Sequence, residues 1–465
     1  MSQVDDLRGS LVGDLFEPGS EGYEEARPAR TAGFESARPR FIVLCRSEAD
    51  VVAVVAYAAA TGMRLVPRSG GHCLAGRSST DGVLLDLSAL NSITVDASGT
   101  AQIGAGARLG EVYRTLHAHG RSLPAGCGAS VGVAGLTLGG GIGLLGRAFG
   151  LTCDRLLGAR VVLASGRLVE CDEGRESDLF WALRGAGGGQ FGIVTALRFA
   201  TVPEPEVVSI DAFWEETEVA ELIGVWLDWA PAAPDGFTLN LSVERHPAES
   251  ALRIQAFGVS TLPGRETASV LQEFLDEAPT PVDARLGART PYSAVKETLA
   301  DEARSSSVGA IRLRSEFFES TLQERTTSAL LSRIGEPDLM GGDRTRRLTF
   351  TAMGGAYNRV RTDATAFAHR GTRFLLEHVG TPDDAWIDAS WETAHADGSG
   401  RVYPNFPDPL LDDALLAYHA GNAARLAEVK QAYDPGRFFD FPQAIRPAPS
   451  TGALRSGIRR NEVPS

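Results

Sequence analysis

A histidine set among glycines is the first chemically suggestive feature of the chain. In "VPRSGGHCLAGRSS", residues 66–79, Gly70, Gly71 and Gly76 permit positive φ angles and close backbone approach. Such a segment can curl with its N–H groups inward, which suits a phosphate or pyrophosphate, and His72 then stands at the rim of an anion cradle. Taken alone, the run fits a solvated surface turn equally well. A second run, "PAGCGASVGVAGLTLGGGIGLLGRAFG" (124–150), has glycine at about every third position, too irregular for collagen and flanked by ordered segments. Its backbone is expected to hug a ligand rather than to act as a linker. "RGAGGGQFG" (184–192) makes a third cluster.

Glycine clusters with strands between them point to a large anionic cofactor held by main-chain N–H groups. A Rossmann site fails on detail: "GGGIGLLG" contains GxG but follows no strong strand, and no acid stands about 20 residues on at the end of a second strand. A P-loop fails because GxxxxGK(S/T) is missing. The five cysteines (Cys45, Cys73, Cys127, Cys153 and Cys171) are odd in number and without CxxC spacing, which argues against a disulfide framework and a zinc site. The eight histidines form no HExxH, so no metal is expected.

The elements that must position these residues follow from periodicity. "RFIVLCRSEADVVAVVAYAAATGMRLVPRSGGH" reads as a strand, a helix opened by Ser47 with acids in its first turn, and a second strand entering the glycine turn. "GVLLDLSALNSITVD" and "TAQIGAGARLGEVYRTLHAHG" add strands and a helix. "LLGARVVLASGRLVECD" is a hairpin, and "SDLFWALRGAGGGQFGIVTALRFA" is a short helix, a glycine run and a strand. Pro203 and Pro205 punctuate a boundary. Beyond it, glycines thin out, amphipathic helices such as "EVAELIGVWLDWA" appear, and strands alternate, as in "FTLNLSVE", "LRIQAFGVS" and "RLTFTAMGG". In "TRFLLEHVG" the pleat puts Arg373, Leu375 and Glu377 on one face and Phe374, Leu376 and His378 on the other. The tail "DDALLAYHAGNAARLAEVKQAYDPGRFF" is expected as one helix stopping before Asp434–Pro435.

At 465 residues the chain is long enough for two or three domains. A net charge of −14 argues against nucleic acid and anionic membrane as partners. The N-terminus has no basic start leading into an apolar stretch, and no apolar run is long enough to span a bilayer, so a cytoplasmic location is expected. Oligomeric state is not legible.

Four motifs, "RSGGHCLAG", "SVGVAGLTLGGGIGLLGRAFGLTCDRLLGARVV", "SDLFWALRGAGGGQFGIVT" and "YPNFPD…YDPGRFF…PQAI", with a fifth, "GGAYNRVRTDATAFAHR", resemble in order the FAD-linked oxidases of the vanillyl-alcohol-oxidase fold, berberine-bridge-enzyme-like branch. The resemblance implies an α+β chain. Residues 1–205 and a returning segment, 401–450, would form a two-part FAD-binding domain. Residues 206–400 would form an α/β substrate domain whose antiparallel sheet roofs the flavin, with 451–465 a flexible tail. It further implies that His72 is bonded to the flavin methyl group and that Arg68, Ser69, Gly70, Gly71, Cys73 and Gly76 form the pyrophosphate loop. The remaining cofactor contacts would come from Cys127, Gly128, Val131, Gly132, Gly135, Leu138, Gly139, Gly140 and Gly143, from Gly192, Ile193 and Val194, and from Asn405, with Arg184 and Gly185 in the wall. Many relatives carry a second flavin link through a cysteine three residues before "VGV". Gly128 holds that position here and Cys127 stands one earlier, so a single covalent bond is favoured. Ala186 and Gln190 replace the usual Gly and Asn.

By the same resemblance, Glu377 falls where these enzymes hold a catalytic or substrate-orienting acid or amide, and Tyr403 matches the base of sugar- and alcohol-oxidising relatives. A carboxylate under an apolar roof gains a raised pKa, whereas a phenol must be activated before it works near neutrality. The implied chemistry is two-electron oxidation of a small molecule, an alcohol or secondary-metabolite intermediate, with dioxygen as acceptor and hydrogen peroxide as product. An oxidative cyclase or oxygenase shares every motif, and a flavin-bearing protein that sequesters a ligand without turnover is the alternative of another class. His369, Phe180, Trp181, Cys153 and Cys171 are read as structural, His117 and His119 as solvated, and Asp408 as support for the C-terminal crossing.

Overall fold

The computed structural model describes residues 3–246, 251–305, 310–336 and 344–449; the expected tail 451–465 lies outside them. Ser47 opens its helix by reciprocal capping. Its hydroxyl accepts from the Asp50 N–H, and the Asp50 carboxylate accepts from the Ser47 N–H. The helix Glu48–Thr61 buries Val51, Val54, Val55 and Ala58, one stripe at helical spacing, and ends at Gly62 with φ 67°. It joins the strands Phe41–Leu44 and Leu65–Arg68, both of which pair in parallel with Val83–Asp86. Buried on both faces, these strands carry unbroken apolar runs. Beside this sheet lies a five-stranded antiparallel one in the order Ile93–Val95, Thr100–Gly104, Ile193–Ala200, Leu156–Val162, Leu168–Cys171. The last two strands form the expected hairpin.

The second half builds one large antiparallel sheet. Its order is Asp283–Leu286, Glu206–Trp214, Leu252–Ser260, Phe237–Arg245, Arg346–Ala352, Phe374–Gly380 and Arg312–Phe318, with Thr290–Pro291 also paired to Glu206–Trp214. One face packs against the helices Val219–Trp229, Gly264–Glu277, Glu324–Gly335 and Trp386–His395 around Trp226, Phe274, Phe350 and Phe374. The other face turns toward the first half. Two main cores result. One spans the first part of the chain and includes Leu426, Val429, Phe439 and Ile445 from the C-terminal segment; the other is made of residues between Ile210 and Ala394.

Arg147 fastens the two halves. Fully buried, it donates to the carbonyls of Pro231, Ala233, Phe237 and Met353, all in the second half, from the short helix Gly146–Phe149 inside the glycine-rich run. The glycine-rich run also contains the helix Val133–Leu138. The tail differs from expectation. It forms two helices, Ala414–His419 and Ala423–Tyr433, broken at Ala420 with φ 47°. The Asn422 amide explains the break, because it donates to the carbonyls of Thr362, Thr365 and Ala366 and so ties the chain there to another loop. The second helix ends before Pro435. Its Lys430 pairs with Asp434 at 2.6 Å and donates to the Gln190 and Phe439 carbonyls, tying the third glycine cluster to the C-terminal segment.

Candidate cofactor and active site

Between the glycine loops and the inner face of the large sheet lies a cavity of about 580 Å³. The cradle loop contributes Ser69, Gly70, Gly71, His72 and Cys73. The glycine-rich run contributes Cys127, Gly128, Val131, Gly132, Gly135, Leu138 and Gly143, and the strand after the third cluster contributes Gly192, Ile193 and Val194. Asn405, Tyr403 and Glu377 complete the set. Three loops far apart in sequence thus line one cavity.

Local packing explains the glycines. Gly70 and Gly132 face one another so closely that a Cβ on Gly70 would collide with the Gly132 backbone, and one on Gly132 with Ser69. Gly71 adopts φ 72°, a conformation costly for other residues. Gly135 is different: a Cβ there meets nothing within 4 Å and would project into the cavity. Among the described residues, the N–H groups of residues 70–74 donate to no backbone carbonyl, so they are available to an anion. His72 is partly buried, and its Nε2 lies 3.0 Å from the Ser130 hydroxyl. Burial, helped by Arg30 and Arg108, holds its pKa below the usual value and so favours the neutral ring.

Some expected contacts are not in the lining. Arg68 spends its guanidinium on the carbonyls of Ala26, Arg27, Pro28 and Ser78, stapling the preceding segment beneath the cradle. Gly76, with φ 69°, makes room for Phe34; Gly139 makes room for Asn405, and Gly140, with φ 117°, for Phe367. Arg184 stacks on Phe180, and Gly185 packs against Phe367. These residues shape the walls from behind. His369 is buried with Nε2 2.9 Å from the Tyr418 carbonyl oxygen, and Asp408 forms a buried pair with Arg314 at 2.6 Å. His117, though exposed, pairs with Glu204.

Glu377 and Tyr403 have opposite electrostatics. In the strand Phe374–Gly380, Phe374 and Leu376 enter the helix-side core while Leu375 and Glu377 line the cavity. Enclosure in the cavity, away from bulk water, pushes the Glu377 pKa up to about 7, against the opposing pull of Arg347 and a hydrogen bond with Thr351. Tyr403 is 3% exposed, and its oxygen accepts from the N–H groups of Gly141 and Ile142 and from Asn405 Nδ2, each at 3.0 Å. Burial outweighs those donors and pushes its pKa up to about 12. Three donors already occupy the phenol oxygen, and a high pKa keeps its own proton in place, so near neutrality the carboxylate is the better proton acceptor of the two.

Several lining groups escaped the sequence reading. Thr238, Asn240, Phe257, Leu313 and Thr351 reach the cavity from the sheet, and Phe439 and Phe441 from the C-terminal segment. Gly188 and Gly189 belong to the third glycine cluster and line the cavity as well. A cleft of about 500 Å³ continues from Glu377 along the sheet, and across it Gln255, Ser242, Thr349 and Glu377 stand directly opposite one another on four successive strands. Gln255 donates to Asp211 at 2.8 Å. Strand alternation makes each such residue legible as a face, but only register reveals the row.

The donor set fits FAD: free N–H groups for a pyrophosphate, open space beside Gly135, apolar walls for a flat ring, and a neutral imidazole at the rim. Comparison with known proteins agrees. A family model described as FAD binding domain matches residues 39–172, and one described as berberine and berberine like matches residues 402–446. The uncharacterized FAD-linked oxidoreductase YgaK of Bacillus subtilis is 33% identical over 94% of this chain and 97% of its own length. Chitooligosaccharide oxidase of Gibberella zeae is 29% identical over 88% of this chain and 87% of its own. Among solved structures, the glucooligosaccharide oxidase of Acremonium strictum, described with a 6-S-cysteinyl, 8α-N1-histidyl FAD, superposes with a TM-score of 0.86 at 25% identity over 96% of this chain and all of its own. The chain is an FAD-linked oxidoreductase and belongs to the berberine-bridge-enzyme-like family.

Proposed function

We propose that the protein is an oxidase that removes two electrons from a hydroxyl-rich, sugar-like alcohol, with dioxygen as acceptor and hydrogen peroxide as product. The observation that carries this reading is the Glu377 carboxylate, poised near pH 7 where the enclosed cavity opens onto the polar row of the sheet. When bound, FAD supplies the two-electron acceptor. Glu377 takes the proton from the substrate hydroxyl, for which a pKa close to the working pH is the most effective. Thr349, Ser242 and Gln255 offer hydrogen-bonding side chains at strand spacing, a row of about 14 Å that suits an elongated molecule bearing several hydroxyls. The oxidases of chitooligosaccharides and glucooligosaccharides among its relatives point the same way.

His72 carries a single covalent link to the cofactor. In the tautomer whose Nε2–H donates to the Ser130 hydroxyl 3.0 Å away, the lone pair of the neutral ring lies on Nδ1, which is then the attachment atom. Cys127 stays free of the flavin: its thiol sulfur accepts a hydrogen bond from Lys296, and Gly128, at the position relatives use, has no side chain. Dioxygen uptake and peroxide formation, measured across mono- and oligosaccharides, simple alcohols and amines, test the reading. Uptake confined to hydroxylated substrates with one peroxide per dioxygen supports it; turnover of none of them, or oxidation without peroxide, refutes it.

A further inference from the structure

Lys296 lies in the helix Tyr292–Ser305 of the second half and reaches into the glycine-rich loop of the first. It is 3% exposed. Its Nζ donates to the carbonyls of Gly126 at 3.1 Å and Ala125 at 3.4 Å and to Cys127 Sγ at 3.4 Å, between the rings of Tyr113 and Tyr292. Among the described residues no carboxylate pairs with it, and the groups that titrate around it are those two phenols and the thiol. A buried lysine so placed is unusual, because an ammonium removed from water ordinarily requires an anion. Burial pulls its pKa down and so favours the neutral, nucleophilic amine. Its neighbour Cys127 is exposed and lines the same cavity as His72. The amine is therefore held against a thiol that opens on the reaction chamber.

We propose that Cys127 and Lys296 form an oxidation-dependent sulfenamide bridge between the FAD-binding and substrate halves, with hydrogen peroxide as the oxidant. In the first step the Cys127 sulfur attacks peroxide. The O–O bond breaks, one oxygen stays on sulfur as a sulfenic acid, the other leaves as water with the thiol proton, and sulfur loses two electrons. In the second step the Lys296 amine attacks that sulfur. The S–N bond forms as the S–O bond breaks, the amine gives up one proton, and a second water leaves with no further redox change. The inference rests on the reading that Cys127 is free of the flavin, and peroxide made in the cavity or added to it drives the same steps. The bridge would lock the helix Tyr292–Ser305 to the cofactor loop.

The test is peptide mapping of the FAD-loaded protein after hydrogen peroxide treatment, digested without reductant. The expected product is a cross-linked pair of peptides containing Cys127 and Lys296, lighter by two hydrogen atoms than the sum of the two and separated again by dithiothreitol. In Lys296→Arg, which retains the long cationic stem but not the amine, the expected product is instead a dimedone-trapped sulfenic acid at Cys127. A dimedone adduct at Cys127 in the unsubstituted protein with no cross-linked pair overturns the bridge, as does a Cys127 that stays unmodified. A Cys127 peptide carrying flavin mass overturns both the bridge and the single-link reading, whereas the first two results leave that reading standing.

Discussion

Replacing Glu377 by glutamine keeps the size of the side chain and removes its proton chemistry. Two magnitudes follow. A general base contributes about 10²- to 10⁴-fold, so flavin reduction by substrate under anaerobic conditions should slow by that factor in Glu377→Gln at pH 8. In the unsubstituted protein kcat/KM should rise with pH and level off near pH 7, where the half-buried carboxyl loses its proton, and the variant should lack that limb. The second magnitude concerns stability. The folded protein holds the Glu377 proton more tightly than the unfolded chain does, so this group's stabilising contribution is complete below its ordinary value of 4.5 and is lost as pH rises through about 7. At about 1.36 kcal/mol for each pH unit, the ionised carboxylate costs up to about 3 kcal/mol above pH 8. Glu377→Gln should therefore be the more stable protein in urea at pH 8 and equal to the parent at pH 4. Reduction within a few-fold of the parent at pH 8, with FAD retained, would refute the assignment of the base, and equal stability at both pH values would refute the electrostatics behind it.

His72→Ala should bind FAD reversibly while the chain stays folded, since a residue at the cavity rim removes little core volume; colour that stays with acid-precipitated variant would contradict the attachment. Ser130→Ala should lower the fraction of covalently bound flavin at a fixed time after loading, because the His72 ring loses the partner that sets its tautomer; an unchanged time course would remove Ser130 from that role. Tyr403→Phe leaves the Gly141 and Ile142 N–H groups and the Asn405 amide without their acceptor, at about 1–3 kcal/mol for each buried group left unsatisfied. Its Tm should fall while the pH limb persists, and loss of the limb would transfer the base to Tyr403. Gly135→Leu should give a folded protein that purifies without FAD, because the new side chain enters open cavity; normal flavin content would show that the cofactor lies elsewhere.

The cavity was legible where its cause was local. Glycine clusters mark backbone that something approaches, and three of them converge on one chamber. Strand alternation was enough to put Leu375 and Glu377 on the same face. What glycine does not encode is the identity of the approaching group. Gly70 and Gly135 border the cavity, but Gly76, Gly139 and Gly140 accommodate Phe34, Asn405 and Phe367. Arg68, which the resemblance implied for the pyrophosphate loop, is instead claimed by the carbonyls of Ala26, Arg27 and Pro28. The single tail helix failed because the amide of Asn422 finds its acceptors in the segment Thr362–Ala366, about which helical periodicity says nothing.

The electrostatic asymmetry of the site shows the limit most clearly. Read as residue types, Glu377 begins far below neutrality and Tyr403 far above it, and either becomes a base only if its surroundings move it inward. The surroundings move both upward, because desolvation opposes the charged form of each. For a carboxyl an upward shift reaches the working range; for a phenol it leads away. The backbone N–H groups aimed at the Tyr403 oxygen come from Gly141 and Ile142, in a loop that packs closely against Thr152 and the Ala125 carbonyl. The choice of base is thus decided by packing between segments more than 250 residues apart. A motif can nominate both residues, and only their environments separate them.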